Sequence, residues 1–334
     1  MNLAFRLALM MLFCASVALA ANPPKEGFYD TFDTKGRRIK TVQYQLGLPN
    51  GIFRTFYPDG RIQGWGQNFN GKMEGMAQAY YPSGVLKIKS FYKEGKLNGL
   101  TTLYYANGKI RSDINYIQGV PEGLSTEYDV HGDLLIERHF IAGKEELFTK
   151  ELYPNGAPKR QLEYKHGRQM GVIKEYDPQG RLTGVYQAMD GIKDGLAREY
   201  YIDGALKREG VYQKDRINGP AVLYYPDGKV LSKVNYTNGL LDDENWREFH
   251  DNGALMNLGA VHQGKKQGLF KSFYADGNLK SEGSFKDDLR EGIFKLYTPK
   301  GKLEFEDNYT HDKMVKRRAF DDQGHLTMEQ VFYK

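Results

Sequence analysis

Seven histidines, a single cysteine and 42 acidic residues are the raw material for chemistry in this 334-residue chain. The histidines are His131, His139, His166, His250, His262, His311 and His325, and none forms a pair at metal-ligand spacing. His131 and His250 sit in turn regions, where a polar residue is expected in any case. Cys14 lies in an apolar N-terminal run, so the chain beyond it has no disulfide, thiolate nucleophile or cysteine metal site. No Gly-x-Ser-x-Gly elbow occurs. Gly71-Lys72 and Gly264-Lys265 lack the spacing of a phosphate-binding loop. Carboxylates are so numerous that no pair stands out as acid and base. These residues predict no enzyme, no cofactor and no metal.

Order appears in another place. Glu127, Glu151, Glu175 and Glu199 recur at 24-residue intervals, and stacked repeats would align them as an acidic row. Tyr57, Tyr81, Tyr105, Tyr201, Tyr225 and Tyr274 recur in step and are expected on the same face. Exposed tyrosine rows suit contact with proteins or sugars, because the ring is apolar and its tip is polar. A plainer account is that the glutamates are solvated and offset by Lys150, Lys174 and Arg198, while the tyrosines cover a sheet. The functional expectation is a partner-binding face formed by these glutamates and tyrosines.

The elements that would position such rows follow from the repeat. Turn glycines fall at Gly36, Gly60, Gly84, Gly108, Gly132, Gly156, Gly180, Gly204, Gly228, Gly253, Gly277, Gly301 and Gly324. Nearly every interval is 24 residues; Gly228 to Gly253 is 25 and Gly301 to Gly324 is 23. Pro-Asp-Gly and its variants between alternating runs mark a hairpin turn, with proline presetting φ and glycine supplying positive φ. A second glycine pair closes each unit, as in Gly71-Lys72-Met73-Glu74-Gly75. The aromatic four residues before the turn glycine (Tyr80, Tyr104), the aliphatic two after it (Leu86, Ile110) and the aromatic eight after it (Tyr92, Tyr116) are expected to share one face. The fold class is all-β: an elongated array of about thirteen antiparallel hairpins, each touching only its neighbours.

The pattern Tyr-Tyr-x-Asn-Gly-x-Leu, followed by aromatic-x-x-Gly-Lys-x-x-Gly, resembles the MORN repeat. It is closest to the variant of bacterial YwqK-type antitoxins, and the resemblance runs from Gly27 to the C-terminus. It implies a twisted antiparallel β array and the neutralisation of a partner toxin. Three places depart from the pattern and are expected to mark irregularities. Leu147 replaces a closing glycine, residues 239–244 carry an extra residue, and Asp312 and Lys316 replace glycines near the end.

Arg6, the apolar run Leu7 to Val17 and Ala18-Leu19-Ala20 predict a cleaved secretory leader over residues 1–20, with the repeat domain over residues 21–334. The expected location is therefore the periplasm or the exterior. Net charge is +5 with both signs interspersed, which excludes the basic footprint of a nucleic-acid binder. Lys316-Arg317-Arg318 is too short a basic run for membrane-surface binding. The expected function is an exported immunity or antitoxin-type protein that binds a toxin acting in the envelope. The alternative is an envelope scaffold or adhesin that binds glycan, peptidoglycan or a protein.

Overall fold

The computed structural model describes residues 24–332; the expected leader lies outside them. The described chain contains 29 strands, from Glu26–Phe32 to Leu326–Val331, and no helix. Two units meet between Arg168 and Gln169. Within each, hairpin strands pair antiparallel with their neighbours in sequence. The all-β hairpin repeat is as expected.

Two turn types alternate. At Gly84 the N–H donates to Tyr81 O at 2.8 Å, and the Tyr81 N–H donates to Val85 O at 2.8 Å. With φ of +86° at Gly84, this is the anticipated three-residue loop ending in a left-handed glycine. At the opposite rim, Glu94 and Gly95 both have positive φ, 52° and 81°. This is a two-residue turn whose twist matches that of the strands.

Neighbouring repeats are fastened along that second rim. Gly95 N–H donates to Met73 O at 2.8 Å, and Gly119 N–H donates to Leu97 O at 2.7 Å. The strained residue before each glycine is also held. Glu94 N–H donates to Glu74 Oε2 at 2.8 Å, Gln118 N–H to Asn98 Oδ1 at 3.2 Å, and Ala142 N–H to Glu122 Oε2 at 2.7 Å. The acidic or amide residue just before the closing glycine is therefore a clamp to the next repeat.

The faces differ from the sequence expectation. A register shift between Ala79 and Tyr80 follows the pair Ala79–Ile88, and an equivalent bulge recurs in the other hairpins. Beyond it, Tyr80 turns to the outer face, where its hydroxyl accepts from Trp65 Nε1 at 3.1 Å and donates to Gln78 Oε1 at 2.8 Å. The aromatic four before the turn glycine thus does not share a face with Tyr116, which is buried on the inner side. The inner face instead carries the residues seven and five before the glycine and four, six and eight after it. Phe53, Ala77, Ile88, Ile114, Ile173, Ala197, Val234 and Phe270 are buried there.

Packing on this face pairs large with small across the ladder: Phe53 with Gly66, Trp246 with Gly259 and Phe270 with Gly283. In the second unit, Trp246, Phe270, Phe285, Phe294 and Tyr309 form a run of ring contacts with centroids 5.2–5.8 Å apart. Each such contact adds about 0.5–1.5 kcal/mol beyond simple burial.

Leu147 keeps the backbone of the glycine it replaces, with φ of +67°. The ladder shifts between Arg138 and Phe140 as it does between Ile114 and Tyr116 one repeat earlier. Hence there is no local irregularity at Leu147. The extra residue near 239–244 is absorbed in a register break between Asp243 and Trp246.

Candidate partner-binding surfaces

The expected tyrosines sit in the hairpin loops, just past the bulge. Each donates its hydroxyl to a main-chain oxygen of the next repeat. The bonds are Tyr57 to Tyr80 O at 2.7 Å, Tyr81 to Tyr104 O at 2.8 Å and Tyr105 to Tyr128 O at 2.8 Å. Tyr201 reaches Tyr224 O at 2.8 Å, Tyr225 reaches Phe249 O at 2.9 Å and Tyr274 reaches Tyr297 O at 2.9 Å. A cation from the following strand lies over several of these rings: Lys87 over Tyr81 at 5.5 Å, Arg111 over Tyr105 at 5.9 Å and Lys207 over Tyr201 at 5.7 Å. The row is half-buried and staples one repeat to the next. Where aspartate stands instead, it folds back on its own turn. Asp129 Oδ1 accepts from the N–H groups of His131 and Asp133, and the Asp133 N–H above all holds its carboxyl below the usual range.

The glutamate row is on the inner face, not opposite the core. Residues five and seven before the turn glycine lie two apart on one strand and point the same way. Glu175 therefore shares its side with buried Ile173, and Glu199 with buried Ala197. All four glutamates are half-buried and ion-paired. Glu127 meets Arg138, Glu151 meets Arg160 at 3.5 Å, Glu175 meets Lys193 at 3.3 Å and Glu199 meets Arg208. Burial first, and then the Glu199 and Glu175 carboxylates, push the Tyr186 hydroxyl far above its ordinary pKa.

In the first unit the inner face opens into a pocket of about 520 Å³. Arg138 lines it, paired with Glu127 and, at 3.2 Å, with Glu145. Glu151, Thr149, Tyr164, Phe140, Ile136 and Ile114 also line it. Burial and the neighbouring Glu145 carboxylate raise the Tyr164 hydroxyl. Among the described residues, no group of three or more His, Cys, Asp or Glu side chains is placed to hold a metal ion.

The outer face carries a row that the sequence reading missed. Eight residues before successive turn glycines stand Phe28, Ile52, Met76, Leu100, Leu124 and Phe148 in the first unit. Phe28, Leu100 and Leu124 are 62%, 47% and 56% exposed. In the second unit Leu269 and Ile293 hold the same place, each 53% exposed. The signal was available, since these positions recur in the 24-residue frame; the face to which they belong was not.

These features define a β-hairpin repeat protein. Residues 73–94, 97–118, 217–238, 266–287 and 290–311 each match the family described as MORN repeat variant, so these stretches of the chain are similar to MORN repeats. No curated protein matches it. Among solved structures, one described as "Crystal Structure of TcdB2-TccC3" is similar at 13% identity, covering 92% of this chain and 21% of that one, with a TM-score of 0.19. A second, "Crystal Structure of TcdB2-TccC3-Cdc42", is similar at 12% identity, covering 91% and 19%, with a TM-score of 0.18. The chain thus spans about a fifth of the length of these structures.

Proposed function

We propose that the chain is an exported binding protein whose partner is another protein, and that it captures and neutralises a toxin acting in the cell envelope. The observation that carries this reading is the exposed apolar row on the outer face. Contiguous apolar side chains left in water, rimmed by polar ones, characterise protein-binding surfaces. Here exposed Leu100 stands opposite Asn115 and exposed Leu124 opposite His139, so polar side chains flank the row. The leader-like N-terminus supports action outside the cytoplasm. The resemblance to antitoxin-type repeats supports neutralisation, by analogy of fold family. No catalytic group is needed for such a task.

The test combines capture with phenotype. The chain lacking residues 1–20 is used to pull down envelope extract, beside a Leu100→Asp, Leu124→Asp variant. These exposed changes should shift stability by only about 0.5 kcal/mol each. A single protein captured by the parent and lost by the variant is expected, together with heightened toxin sensitivity when the gene is deleted. Equal capture by both, or unchanged sensitivity to every envelope-directed toxin, overturns the reading.

A further inference from the structure

The pocket in the first unit is a departure that the fold does not require. Six residues after the turn glycine, the hairpins on either side place Ile114 and Leu162, both buried; this hairpin places Arg138. At the inner position supplied by Leu97 and Pro121 in the two preceding repeats, this one places Glu145. Core has been exchanged for a charged group at both points.

We propose that the pocket is a binding site for a neutral, hydroxyl-rich ligand, a saccharide unit. Its charge excludes the alternatives. An anion would have to compete with Glu127 and Glu145 for an Arg138 they already share. A cation would meet that guanidinium in the lining, only 18% exposed. A neutral ligand displaces neither. Paired carboxylates and guanidinium still hold spare lone pairs and N–H groups, and together they offer the donors and acceptors that vicinal hydroxyls need. Ile136, Phe140 and Tyr164 supply an apolar wall for the C–H face of a sugar ring.

An independent observation points the same way. Thr149 lines the pocket, is 5% exposed, and its Oγ1 has no hydrogen-bond partner among the described residues. Thr101 and Ser125, at the same place in the two preceding repeats, are likewise unpaired, but of the three only Thr149 lines the pocket, where a ligand group can supply the missing partner. The volume falls within the roughly 300–1,000 Å³ of small-ligand sites.

The site lies on the inner face and stands or falls independently of the outer apolar row. The experiment is calorimetric titration of the purified chain with glucose, galactose, N-acetylglucosamine, maltose, cellobiose and chitobiose. At least one should bind saturably. Thr149→Val, which keeps the side-chain shape, and Tyr164→Ala, which removes part of the apolar wall, should each weaken that binding tenfold or more. The Thr149 methyl and Tyr164 ring signals of the unaltered chain should shift as the sugar is added, a readout that survives a poorly folding variant. Absence of binding by every sugar overturns the proposal. So does binding that Thr149→Val leaves unchanged, or binding of a Lys- and Arg-rich peptide that perturbs the same signals while no sugar does.

Discussion

At Leu147 a branched, β-carbon-bearing residue is held at φ +67° and is 53% exposed. The same place holds Gly75, Gly99, Gly123, Gly195 and Gly219, all at positive φ. Left-handed backbone costs an ordinary residue roughly 1–2 kcal/mol. Glycine avoids that cost but loses more chain entropy on folding, about 0.5–1 kcal/mol. Little packing is at stake for so exposed a side chain. Leu147→Gly should therefore raise stability by about 0.5–1 kcal/mol, read as a higher denaturant midpoint with unchanged slope. A lower midpoint would show that the leucine side chain contributes more than its backbone costs. The glycine frame made this position visible in the sequence. Its consequence was not visible, because a missing glycine can be met by a kink or by strain, and only the retained register shows strain.

The element scale is the hairpin and its neighbour. Gly259 illustrates it: a Cβ added there would lie 2.5 Å from the Phe270 ring, which belongs to the following hairpin and is itself buried. Gly259→Ala should destabilise by about 1–3 kcal/mol, the usual cost of overpacking a tight core. Adding Phe270→Leu should recover part of that loss, so the two changes should be non-additive in thermal or denaturant melts. Additive losses would mean the ring moves aside freely. Strands, turns and their spacing were legible because proline, aspartate and glycine punctuate every repeat. The assignment of faces was not, since a bulge at the third residue after the turn glycine, such as Lys87 or Arg111, reverses the alternation of the second strand of each hairpin. On the first strand the alternation is unbroken, so Glu127 keeps the inward facing of buried Ser125.

At the scale of the molecule, cohesion is passed from repeat to repeat. The tyrosine staples span 23 or 24 residues and the rim clamps 20, so none of them reaches past the adjacent unit of the repeat. Damage should then remain local, as one-dimensional coupling requires. Gly108 has φ of +84°, and Gly108→Val forces a β-branched residue into it. Hydrogen exchange should quicken in that hairpin and its two neighbours while the repeats near Gly277 and Gly301 keep their protection. Exchange rising evenly throughout would contradict repeat-wise coupling.

The sequence by itself determined the repeat length, the turn chemistry and the all-β class, because these depend on local preferences read every 24 residues. Tertiary structure decided what each row does. The loop tyrosines became staples because the next repeat brings a carbonyl within hydrogen-bonding reach. Arg138 and Thr149 became pocket residues because their strands face inward with Glu127 and Glu145. Which side of a strand meets its neighbours depends on bulges and on contacts between residues some 20 positions apart, and a periodic sequence does not encode that sidedness in its period alone.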